Sequence, residues 1–152
     1  MTSLSSKPKL YLASPLFNEL ERERNQIIKN VLMEHFDVFL PQEDGLLLHE
    51  LIINGAPLKE AEKSVYETDV LAMKNSDILL VVLDGASIDD GVAFELGYSK
   101  AMNKVCIGLQ TDVRRQLPSG NNPMIECSCD EIFNDFESLK KWLILNHTGT
   151  NN

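Results

Sequence analysis

The chain is poor in the residues that announce the commoner chemistries. Cys106, Cys127 and Cys129 are odd in number and too few for a disulfide framework, which fits a reducing compartment. His35, His49 and His147 are scattered and offer Cys127 and Cys129 no ligands at matching spacing, so the thiols are expected to pack rather than bind metal. Cations are also scarce: 14 Lys and Arg stand against 23 Asp and Glu, a net charge of −9. Such a field repels phosphate backbones and argues against a nucleic acid polymer as partner, while leaving a small nucleoside allowed. The longest apolar run is the six residues 78–83, against about 20 for a membrane span and about 7 to 15 for a signal-peptide core. A soluble, cytoplasmic protein with no membrane partner is expected. Three motifs are missing as well: G-x-G-x-x-G after the first strand, G-x-x-x-x-G-K-[ST], and G-x-S-x-G. Dinucleotide, Walker-type and serine-elbow chemistry therefore lack support.

What is present is 152 residues, 43% of them hydrophobic, enough for one domain with a real core. Polar ends at 1–8 and 146–152 are expected to be flexible, leaving a domain over 9–145. Within it, short apolar runs alternate with segments of helical period. Strands are predicted at 10–13, 38–40, 78–83 and 105–109. Helices are predicted at 18–36, 59–75, 90–103 and 135–145, the first with Leu20, Ile27, Ile28, Val31 and Leu32 on one inward stripe. Residues 45–57 fit either a short helix or a flap over a pocket, and 110–130 reads as an excursion rich in Asp, Pro, Gly and Asn. The alternation predicts an α/β fold with a mainly parallel sheet flanked by helices.

Glu95 is the single charge in the stretch 91–99, which is otherwise apolar or small and so reads as a buried helix. A carboxylate there costs several kcal/mol unless it is paired, hydrogen-bonded or protonated, roughly the scale of a desolvated ion. Asp69 shares a helical face with Ala61, Val65, Ala72 and Met73, so it too is expected to point inward. Asp89 and Asp90 begin the helix of Glu95, and capping explains only one of them. If that helix follows a central strand, its start lies at the C-terminal edge of the sheet, together with Tyr11 and Ser14 from the first strand. Paired carboxyl groups with hydroxyls and no metal suit cleavage of a glycosidic bond through an oxocarbenium-like transition state.

The segments Tyr11-Leu12-Ala13-Ser14-Pro15-Leu16-Phe17, Asp69, Asp89-Asp90-Gly91-Val92-Ala93-Phe94-Glu95-Leu96-Gly97-Tyr98 and Asn122-Pro123-Met124-Ile125 resemble the nucleoside 2-deoxyribosyltransferase family over roughly 9–145. The resemblance implies a single-domain flavodoxin-like three-layer sandwich. It further implies no cofactor, and exchange of the base of a 2-deoxyribonucleoside for a free purine or pyrimidine base, with retention, by double displacement. Glu95 would be the nucleophile, Tyr11 its orienting partner, and Asp69 and Asp89 would share proton transfer to the base and substrate anchoring. Ser14, Asp90, Gly91, Asn122 and Met124 would contact substrate, Asn122 at a neighbouring subunit's site, so a dimer-based homo-oligomer, up to a hexamer, is implied. One departure is Ser14, where many members carry glycine. Residues 146–152 do not resemble the tail that some relatives use at the 5′ hydroxyl.

Competing readings remain. A glycosidase acting on 2-deoxynucleoside 5′-monophosphates shares the acid but needs donors for a dianion. A receiver-like signalling domain would use Asp84 as phosphate acceptor, and a binding module would hold nucleosides without cleaving them.

Overall fold

Side-chain alternation along the strands decides the layers. The computed structural model describes residues 6–149; of the ends expected to be flexible, 1–8 and 146–152, residues 1–5 and 150–152 lie outside the described residues. In chain order the elements are β1 (Lys9–Ala13), α1 (Glu19–Leu32), β2 (Asp37–Phe39), α2 (Pro41–Asp44), α3 (Leu48–Ile53), α4 (Leu58–Asn75), β3 (Ile78–Val82), α5 (Asp90–Ala101), β4 (Val105–Leu109), α6 (Pro123–Glu126), β5 (Glu131–Phe133) and α7 (Phe136–His147). All strand pairs are parallel, in the order β2-β1-β3-β4-β5, the arrangement of a flavodoxin-like sheet. Leu10 and Leu12 of β1, with Ile78, Leu80 and Val82 of β3, face α1 and α7. Tyr11 and Ala13, with Leu79 and Val81, face α4 and α5. β3 is buried along its whole length, as a central strand covered on both faces must be.

Several expectations need correction. The inward face of α1 carries Asn25, Ile28 and Leu32, whereas Leu20, Ile27 and Val31 are exposed. Apolar periodicity placed Ile28 and Leu32 but set the stripe too wide, because polar Asn25 completes the buried face. The stretch around Glu95 is not buried all round, since α5 packs through Val92, Leu96 and Ser99 and leaves Phe94 exposed. β5 lies just beyond the region read as an excursion; at three residues it is too short for a periodic signal. α7 continues two residues past the expected end, to His147. The ambiguous stretch 45–57 contains α3, none of whose residues is buried.

Candidate active site

The C-terminal edge of the sheet opens into a cavity of about 740 Å³, within the range that encloses small organic ligands. Asp69, Asp89, Gly91, Val92 and Glu95 line one side, from α4 and α5. The opposite side comes from the loop after β1 (Ser14, Leu16, Phe17), from Arg22, and from Pro41, Gln42 and residues 46–49.

Glu95 sits at the core of this arrangement. Tyr11, at 0% exposure on β1, donates its hydroxyl to Oε1 of Glu95 across 2.6 Å. The Tyr11 ring is fixed by stacking on Phe39, with centroids 5.3 Å apart. Burial pushes the Glu95 carboxyl up to about 8; the Tyr11 bond opposes this, and the nearby charges of Asp69 and Asp89 reinforce it. Asp69 is pushed up to about 6 by burial alone. Its Oδ1 is buried and has no hydrogen-bond partner among the described residues. That oxygen lies toward Gly45: a Cβ there would stand 3.1 Å from it. Asp89 caps α5, its Oδ2 accepting the Val92 N–H at 3.0 Å.

The cluster therefore combines a held carboxyl, a second carboxyl with an unmatched oxygen, and a third fixed at a helix N-terminus. Burial raises both Glu95 and Asp69, and Glu95 the further of the two, so the protonated form of Glu95 is the more strongly favoured. Such a set can supply a nucleophile and a proton donor to one cavity.

Other expected site residues are placed differently. Ser14 lines the cavity, but its hydroxyl is directed to Asn25 Oδ1, 2.6 Å away. Asp90 is exposed and does not line the cavity, because its place on α5 turns it away from Glu95. Asn122 caps α6 by accepting the Met124 N–H and borders a separate small pocket with Ser87 and Gly85. Met124 is exposed. Neither reaches this chain's cavity. Asp84 directs its carboxylate to Thr111, to the Asp112 N–H and to Arg24, so it ties the ends of β3 and β4 together rather than offering a free phosphate acceptor. The apolar wall at 46–48 falls in the segment whose sequence fits a short helix or a flap over a pocket, whereas the Asn25 network behind Ser14 carried no signal, since it depends on contacts between distant segments.

A family model described as nucleoside 2-deoxyribosyltransferase matches residues 10–140. Among solved structures, a 2-deoxyribosyltransferase from Bacillus psychrosaccharolyticus is similar at a TM-score of 0.71 and 30% identity, covering 87% of this chain and 90% of that one. A conserved protein from Enterococcus faecalis V583 has the same fold at a TM-score of 0.71 and 23% identity, covering 90% and 96%. A CMP N-glycosidase from Clostridium botulinum shares the fold at 0.56 and 16%, covering 89% and 97%. An uncharacterised protein of Ureaplasma parvum is 30% identical over 104 residues, 66% of this chain and 65% of that protein. The match thus spans just under two thirds of that relative's length.

Proposed function

Because the chain belongs to the nucleoside 2-deoxyribosyltransferase family, we propose that it exchanges the base of a 2-deoxyribonucleoside for a free base through an ester on Glu95. Membership makes it a glycosyl-transferring or glycosidase enzyme. The observation that carries the finer reading is the Tyr11–Glu95 bond in a cavity shared with Asp69 and Asp89.

In this reading the deoxyribose lies with C1′ beneath Glu95, beside Asp89 and Gly91. The base lies toward Asp69 and the segment 42–49, most of which lines the cavity with Glu95. Burial leaves a proton on Glu95, and the leaving base needs one. Substrate binding moves that proton to Asp69, freeing the Glu95 carboxylate. Glu95 then attacks C1′; the C1′–N bond breaks, its electron pair goes to the base, and the base nitrogen takes the proton from Asp69. In the second half the incoming base attacks C1′ and gives its N–H proton to Asp69, while the C1′–O pair returns to Glu95. Two inversions give net retention. Asn122 and Met124 belong in this reading at the site of a neighbouring subunit within a homo-oligomer, because they do not reach the cavity of their own chain.

A second reading, release of the base from a 5′-monophosphate by water, draws on Arg22, a cation lining the cavity. A matrix of deoxynucleosides and their 5′-monophosphates against free bases decides between them. New nucleosides are expected, and Glu95→Gln should lower turnover by at least about 1000-fold with the fold intact. Base release from monophosphates alone would reject exchange, and undiminished turnover by Glu95→Gln would reject the nucleophile.

A further inference from the structure

Directly behind the cavity wall lies a buried polar side chain that the proposed reaction does not use. Asn25, on the inward face of α1, is 0% exposed. Its Oδ1 accepts the Ser14 hydroxyl at 2.6 Å, and its Nδ2 donates to the Pro15 carbonyl at 2.9 Å and to Gln42 Oε1 at 3.0 Å. Gln42 in turn donates Nε2 to the Arg22 carbonyl at 3.0 Å. Ser14, Arg22 and Gln42 all line the cavity.

One amide thus ties together the loop after β1, the first half of α1 and the start of α2. A leucine of similar volume would need no partners, whereas a buried amide is destabilising for each group left unmatched. What the amide supplies and a leucine does not is a fixed spacing between segments, since each bond tolerates only a few tenths of an ångström. The segments it fixes form the wall that faces the carboxyl cluster, so in the exchange reading the base lies between that wall and Asp69.

Resting on the exchange reading, this geometry has a chemical consequence. The ester on Glu95 has two fates. A base nitrogen attacks C1′, or a water oxygen does; in each case the C1′–O pair returns to Glu95 and one proton from the attacking group passes to Asp69. The electron and proton balance is the same, so the outcome depends on whether the slot holds a base or admits water. We propose that Asn25 is a positioning residue that holds the walls of the base slot at fixed spacing and so sets the ratio of base transfer to hydrolysis.

The test compares Asn25→Asp and Ser14→Ala with the unaltered protein, using deoxyuridine as donor and adenine as acceptor, and measures new nucleoside against free deoxyribose. Asn25→Asp keeps the acceptor for Ser14 but loses both donations; Ser14→Ala removes one bond and leaves Asn25 in place. The ratio of free sugar to new nucleoside should rise about tenfold in the first and about threefold in the second, the scale of one or two lost hydrogen bonds. The KM for adenine should rise with it. A product ratio does not depend on how much of a variant is folded, so a loss of stability alone would not move it. Intact mass of the quenched wild-type protein reports the ester separately. If the ester forms and the ratio stays unchanged in both variants, the positioning role is overturned and exchange stands. If the unaltered protein gives neither ester nor new nucleoside, the exchange reading fails and the inference falls with it.

Discussion

The Tyr11 phenol keeps its proton across the whole working pH range, because burial and the charges of Glu95 and Asp69 raise its pKa. It is therefore always the donor in the 2.6 Å bond, and that bond favours the ionised form of Glu95. In the proposed reaction the Glu95–Asp69 pair must carry one proton, so kcat/KM should rise through about 6 and fall through about 8. Tyr11→Phe removes the bond that opposes burial. Glu95 then holds its proton more tightly, so the alkaline limb should move to higher pH while kcat drops about 10- to 100-fold, the worth of a hydrogen bond to a charged group. A pH–rate profile measures both, and an alkaline limb that stays in place would separate Tyr11 from Glu95 ionisation. Glu95 was legible in the sequence because a lone charge in an apolar stretch is conspicuous. Asn25 was not: a polar residue within a helix looks solvent-facing until its partners, which approach from other segments, are known.

Among the elements, the connection from α2 through Gly45 to α3 packs against the second carboxyl. Gly45 has an ordinary backbone (φ −92°), so space and not conformation demands glycine there. An added Cβ would lie 2.6 Å from the Pro41 carbonyl oxygen as well as against Asp69. Gly45→Ala should therefore push α2 and Asp69 apart and lower kcat/KM by about tenfold, the scale of a sub-ångström misplacement of a reacting group. Gly55, at φ +95° with nothing near its Cβ position, provides the contrast. Gly55→Ala should cost about 1 kcal/mol of stability from the strained backbone and leave turnover per folded molecule unchanged. Equal activity of the two variants would show that Gly45 does not position Asp69. The segment 45–57 was ambiguous in the sequence because its aliphatic residues fall on every side. Two chain breakers, Gly55 and Pro57, also interrupt it. In the structure 46–48 form a wall of the cavity while Ile53 faces outward, and periodicity cannot express that division.

For the molecule as a whole, holding Glu95 inside the fold couples stability to pH. Its folded-state pKa, about 8, lies above the ordinary 4.5, so between those values the native state binds more protons than the unfolded chain. Stability from this group is complete below about 4.5 and is lost as pH rises through about 8. The loss is on the order of a few kcal/mol. Asp69 contributes a smaller loss of the same sign, ending near 6. Glu95→Gln abolishes the dependence that Glu95 brings, so the variant's Tm should gain on the unaltered protein as pH rises from about 5 to about 8.5. A constant difference would mean that Glu95 is not held protonated. Comparing the two proteins cancels the general repulsion of a chain with net charge −9. The sequence by itself determined the α/β alternation, the central strand and the inward acids, because burial is written into local apolar pattern and a charge that violates it stands out. The tertiary structure decided which stripe of α1 turns inward, that Asp90 and Asn122 stand apart from the cavity, and that Asn25 joins its walls. Those outcomes depend on hydrogen bonds and close contacts between segments far apart in the chain, whose geometry exists only once the layers have packed.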